Sequence, residues 1–319
     1  ISVAGIAGSH KSASNSAMRV QQFFLLACAL GQDSEIQAKL HDSGGAGGVS
    51  VAVGGFSHVT ENKIAEIDID SSRIAIFAGG NGSRITLNST TMGIAATCGG
   101  VAVRAHGSAT AIARVKINNT QFVTTANNGG FITSRFTTAV AVSTGGIAVE
   151  GSAAAVEVSG HSSLLVFASN GSSISTNVER LVRAGSFAGD GNTMSVTTGG
   201  ISGRVSGTPS ANFRIVNVTI MLQAVNASSI GAAMAGDAGS LYHNVASSVG
   251  GIALVATPPT LVIEDVTILG LSQNQSLLNS SASDAAKIHT FALLGVAVTC
   301  LNRATFEMNH LQIFVMGAT

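Results

Sequence analysis

The chain has 319 residues, 10% of them charged, with 16 Lys and Arg against 16 Asp and Glu and a formal net charge of zero. Charge this sparse and balanced leaves no electrostatic footprint for nucleic acid or an anionic membrane surface. No run of eighteen apolar residues marks a membrane-spanning helix, and 45% hydrophobic residues are too many for a disordered Gly/Ser linker.

Along the chain the first unit is the apolar stretch Met18 to Leu26, a shortened forerunner of the later repeats. A Gly-Gly doublet with an apolar, small, apolar triplet then opens at Gly47-Gly48-Val49-Ser50-Val51. It returns at Gly99-Gly100-Val101, Gly145-Gly146-Ile147, Gly199-Gly200-Ile201 and Gly250-Gly251-Ile252, with an echo at Gly295-Val296. Steps of 44 to 54 residues mark a repeat architecture. With 38 Gly, no Trp and one Tyr, the composition suits short, closely stacked strands.

After each doublet come two segments of alternating polarity joined by a polar turn. They run from Ile64 to Phe77, Ile112 to Val123, Val156 to Phe167, Phe213 to Leu222, Leu261 to Leu269 and Phe306 to Val315. Alternation over four to six positions predicts half-buried strands. The turn between them carries its own column, Asp70, Asn118, Gly160, Asn217, Asp265 and Asn309, residue types that tolerate left-handed backbone. Such a column can stack as an inward-facing amide ladder. A second column comes after the next strand: Asn81, Asn170, Asn226 and Asn274 each begin an N-glycosylation acceptor triplet, as do Asn88 and Asn279. Asn118 and Asn217 also fit the acceptor pattern but are assigned to the turn ladder. N-linked glycans are therefore expected, and no other cofactor.

Two further columns lie just after the doublets. Ser50, Ala102, Ala148, Ser202, Ala253 and Ala297 are expected to face outward as a flat, featureless strip that packs closely against the protein's own loop or another subunit, with a binding groove as the alternative. Next to them run Ala52, Arg104, Glu150, Arg204, Val255 and Thr299, which place Glu150 between two arginines as an exposed cross-strand ladder. Glu66 and Asp68 are likewise expected to face Arg114 and Lys116 one repeat on.

Catalytic signals are weak. Asp68 and Asp70 form an i, i+2 carboxylate pair, but their basic neighbours suit structural pairing. The histidines fit no metal or triad spacing, and Cys28, Cys98 and Cys300 form no metal-like cluster. The cysteines fit either three small buried residues or one disulfide and a free thiol. No catalytic, cofactor-binding or metal residue is assigned, and no enzyme activity is expected.

These features predict an all-β chain, a right-handed parallel β-helix (β-solenoid) of six to seven repeats of about 50 residues. The repeats start near 1, 47, 99, 145, 199, 250 and 295 in one domain over residues 1–319. Whether each repeat is one large coil or two smaller ones stays open. A kelch-like β-propeller is the alternative, disfavoured by one Tyr and no Trp. Beginning at Ile1, the chain is expected to be a processed product or part of a longer one.

The unit of doublet, alternating strand, turn such as Asn217-Val218-Thr219 or Asp265-Val266-Thr267, and Ser/Ala/Gly-rich loop resembles pectin-lyase-like parallel β-helix proteins. It looks most like the large repetitive surface glycoproteins of kinetoplastids called the dispersed gene family. That resemblance implies an extracellular or cell-surface glycoprotein of structural or adhesive character. Self-association, end to end or lateral, and glycan or cell-surface protein partners would go with it. A carbohydrate-active β-helix enzyme or a glycan-binding module is the alternative.

Overall fold

Strands of this chain hydrogen-bond to strands one repeat away, not to their neighbours in sequence. The computed structural model describes residues 2–3, 5–10, 15–40, 49–61, 63–90, 94–108, 111–136, 141–178, 193–205, 211–235, 244–256, 259–283, 289–300 and 304–318. In the third repeat the strands are Ile94–Cys98, Val101–His106, Ile112–Asn118, Gln121–Asn127 and Phe131–Phe136. Each pairs in parallel with its equivalents before and after, so that Val101 lies opposite Phe56 and Ile147, and Lys116 opposite Asp68 and Glu157. One repeat is therefore one large coil of about five strands. The result is an all-β parallel solenoid of four sheets, with seven, seven, twelve and six strands. A propeller is excluded, because its blades pair consecutive strands antiparallel.

The third sheet has two arms that meet at the polar turn. In two turns of the coil a single strand, Ala211–Val225 or Pro259–Gln273, runs through both. Alternate residues point into the lumen, as in Ile64–Asp70, where Ala65, Ile67 and Ile69 are fully buried. The lumen is filled by Val, Ile, Leu and Ala with Phe56, Phe122, Phe136 and Phe213 as its largest buried side chains. Burying each Ile, Val or Phe stabilises the fold by about 1.5–3 kcal/mol, which supplies most of the driving force.

The Gly doublet makes the corner between the first and second sheets. Its first glycine takes positive φ (75° at Gly99, 67° at Gly145, 68° at Gly199), which side chains rarely adopt. The second stacks backbone on backbone. Val101 N–H donates to Gly146 O and Ile147 N–H to Gly200 O, both at 2.8 Å, and a Cβ on Gly55 would stand 2.6 Å from Gly100 O. In the second coil this column is occupied by Gly54-Gly55, not by Gly47-Gly48. The latter pair lies outside the described residues, and Val49–Val53 belongs to the strand before the corner, in register with Ile94–Cys98. Two doublets seven residues apart carry the same local signal; only the pairing of whole strands chooses between them. Gly295 holds the second-glycine place, with Leu294 before it at φ 50°.

The strip after the doublet faces away from the lumen but not into water. At this corner the outer faces of the first and second sheets fold against each other, so both sides of these strands are buried. Ala95, Ala102 and Val59 form one cluster there, and Ala246, Ala253, Val255 and Ala292 another, each separate from the lumen core. Ser50 bonds Ser57 at 2.6 Å and Ser195 bonds Ser202 at 2.7 Å across the same seam. Ser57, not Ser50, is the true equivalent of Ala102. The column is small because two sheets close over it.

Glycine at the second corner position should therefore be irreplaceable. Gly146→Ala drives a methyl into the Gly200 carbonyl and should cost about 1–3 kcal/mol or more in urea unfolding. Gly171→Ala, at φ 73° with open space around it, should cost only the left-handed penalty of about 1–2 kcal/mol. Equal losses would contradict this account of the corner.

Candidate functional site

Parallel stacking turns every outward column of side chains into a ladder, and several ladders carry charge. Glu150 does lie between Arg104 and Arg204: Arg104 Nε donates to Glu150 Oε2 at 3.0 Å and Arg204 Nη1 to Glu150 Oε1 at 3.1 Å. These groups are not exposed as the sequence suggested. Glu150 is 1% exposed, Arg204 3% and Arg104 6%, because they continue the seam between the two folded sheets. Val59, not Ala52, precedes Arg104 in the column.

On the first arm of the third sheet the ladder stays in water. One column reads Arg19, Asp68, Lys116, Glu157, Arg214, alternating in sign from coil to coil. Beside it Glu66 lies 3.7 Å from Arg114 and 4.0 Å from Arg19, and Arg214 lies 3.7 Å from Glu157. Exposed pairs contribute about 0–1 kcal/mol each, so their effect is on register more than on stability.

The turn column divides into two structural positions. Asp70, Asn118 and Asn309 end their strands pointing outward, and Asn118 Nδ2 donates to Asp70 Oδ1 at 2.7 Å. That bond, with a weaker one from Gln21, holds the exposed Asp70 carboxyl below its ordinary range. Asn309 Nδ2 donates to Glu307 at 3.3 Å. Asn217 and Asp265 sit one residue further, in the left-handed corner itself, at φ 58° and 51°. They contact His161 at 3.3 Å and His310 at 3.1 Å in the adjacent coil. The inward ladder expected here is thus an outward, broken one. What lies inward is a hydroxyl column: Phe23 N–H donates to Ser72 Oγ and Thr120 N–H to Ser162 Oγ, both at 3.1 Å.

The continuous amide ladder is at the next corner, among the residues expected to carry sugar. Asn170 Nδ2 donates to Asn127 Oδ1 at 3.0 Å, Asn226 Nδ2 to Asn170 Oδ1 at 2.9 Å, and Asn274 Nδ2 to Asn226 Oδ1 at 2.8 Å. All three ladder donors take positive φ. Two residues on, Ser172 N–H donates to Ser228 Oγ and Ser228 N–H to Ser276 Oγ, both at 3.1 Å. The Asn-x-Ser spacing therefore has a stacking cause. Asn81 stands over Gly129, just off the ladder, because its corner is one residue longer. Asn88 and Asn279 lie elsewhere, on the outer face of the fourth sheet.

That face carries a shallow depression of about 350 Å³ lined by Glu35, Gln37, Arg84, Thr86, Asn88, Phe131, Thr133 and Arg135. Thr86 Oγ1 donates to Glu35 Oε1 at 3.3 Å across its floor. Composition alone did not single out these residues; they meet only because Glu35, Arg84 and Phe131 share one column. Among the described residues no group of three or more His, Cys, Asp or Glu could hold a metal, and no helix is long and apolar enough to cross a membrane. All three cysteines are free, on three different sheets. Burial pushes the Cys98 thiol up to about 12.

Comparison with protein-family models gives no match, and neither the curated proteins nor the solved structures compared give one.

The buried ladder makes a sharp demand on its centre. Glu150→Gln removes the buried carboxylate that bridges two buried guanidinium groups and should lower stability by about 3–5 kcal/mol. Replacing the triad together by Met, Leu and Met should recover most of that loss. A thermal melt of Glu150→Gln that matches the wild type would contradict the buried ion pair.

Proposed function

We propose that this chain is an extracellular or cell-surface structural or adhesive protein, similar to pectin-lyase-like parallel β-helix proteins and most like the dispersed gene family surface glycoproteins. The observation that carries the reading is the translational repetition of its surface. Charge, amide, hydroxyl and apolar columns each continue over several coils at a spacing of about 4.8 Å. A surface of that kind is matched to another periodic surface better than to one small substrate. Several of the carboxylates are engaged with partners: Asp70 with Asn118, Glu66 with Arg114, Glu150 with two arginines, Asp265 with His310. Self-association by stacking coil on coil belongs to the same proposal, since the main-chain pairing of each turn asks little of sequence beyond small corner residues.

A second reading, glycan binding, is favoured by the fourth-sheet depression. Phe131 offers a ring 37% exposed, flanked by the guanidinium, carboxylate and amide groups of Arg84, Glu35, Gln37 and Asn88. Rings beside planar polar groups suit a sugar, which has both apolar faces and hydroxyls.

Asn88 and Asn279 are the acceptors best placed for glycans, because they lie on the outer face of the fourth sheet, away from the stacked corners. Sugars on Asn170, Asn226 and Asn274 would have to crowd corners about 4.8 Å apart. Intact mass of secreted protein before and after enzymatic glycan release should show sugar, with peptide mapping placing it on Asn88 or Asn279. An unchanged mass would remove the glycoprotein reading.

A further inference from the structure

The second arm of the third sheet breaks the rule that an outer strand face is polar. Along Gln121–Asn127, Ser163–Ser169, Thr219–Val225 and Thr267–Gln273 the outward residues nearest the middle are Val123, Leu165, Met221 and Leu269, stacked in one column. The adjoining outward column alternates polar and apolar residues, Thr125, Phe167, Gln223 and Leu271. All six apolar side chains are partly exposed. On the flanks the outward residues are mostly polar: Gln121, Ser163, Thr219 and Thr267 on one side, and Asn127, Ser169, Val225 and Gln273 on the other. One charge, Arg73, joins the rim in the coil before Gln121; an apolar centre with a largely polar rim is the anatomy of a protein–protein interface.

We infer that this face pairs with the same face of a second copy of the chain, sheet against sheet. Area and shape argue for this occupant. A seven-residue strand width of about 23 Å over seven coils of about 4.8 Å gives roughly 800 Å² per copy, or about 1,600 Å² in the pair, the size of a stable specific interface. Both partners have the same period, so ridges of one copy meet grooves of the other along the full length, as in aligned sheet packing about 10 Å apart. The rim carries no cationic belt of the kind a membrane surface would require. The inference concerns association alone and stands apart from the extracellular role proposed above.

Sedimentation equilibrium of the whole chain tests it. The wild type should be a dimer at micromolar concentration. Leu165→Glu, which buries an unpaired charge at the centre of the interface, should weaken dimerisation roughly 100-fold or more. Met221→Gln should weaken it less. Because both side chains point away from the lumen, both variants should keep a wild-type melt of the isolated subunit, and Thr133→Glu on the fourth sheet should leave the dimer intact. A wild-type monomer at 100 µM (about the upper end of weak association) would overturn the pairing, and with it the coil-on-coil self-association proposed above, but not the extracellular role. Leu165→Glu that folds and dimerises as well as wild type would overturn it too.

Discussion

The constraint on which this molecule depends is in-register stacking of parallel strands at about 4.8 Å. Each side chain must tolerate its own equivalent from the coils above and below, some 41 to 57 residues away in sequence. Apolar groups satisfy this by matching, amides by donating in one direction, hydroxyls by capping the next backbone N–H. Charges satisfy it only by alternating. The column Arg19, Asp68, Lys116, Glu157, Arg214 is therefore a consequence of the spacing and not a separate device.

The glycine corner adds a second constraint. By folding two sheets back on each other it creates a seam outside the lumen, lined by Ala and Ser near the bend and by Arg104, Glu150 and Arg204 further out. Near the bend only small residues fit. Further out there is room for long side chains but no water, so the charge alternation that is nearly neutral elsewhere becomes decisive for stability. The same ladder principle gives a weak interaction on one sheet and a strong one on another, and burial alone separates them.

Much of this was legible in the sequence. Alternation predicted the strands, the doublets predicted the period, and Arg104, Glu150 and Arg204 were placed in register. What failed has physical reasons. Gly47-Gly48 and Gly54-Gly55 look alike locally, and only strand pairing decides between them. The inside and outside of a strand can be assigned from alternation, but a re-entrant corner can bury the outside; the small Ala and Ser column hints at close packing, while nothing near Glu150 signals burial. Asn170-Gly171-Ser172 reads as a glycan acceptor although its amide and hydroxyl stack on the next coil. The apolar outer face escaped notice because Ser163-Leu164-Leu165-Val166-Phe167 reads as an apolar core strand.

Register is the property on which every ladder and corner depends, and cysteine cross-linking tests it most directly. Thr86 and Thr133, 47 residues apart, are direct neighbours on one face, while Ser134 points to the other side. With Cys28, Cys98 and Cys300 replaced by Ala, the pair Thr86→Cys and Thr133→Cys should close a disulfide under mild oxidation, since parallel neighbours fall within bonding range. Thr86→Cys with Ser134→Cys should stay reduced. Failure of the first pair in folded protein, or equal closure of both, would contradict the one-coil, in-register solenoid.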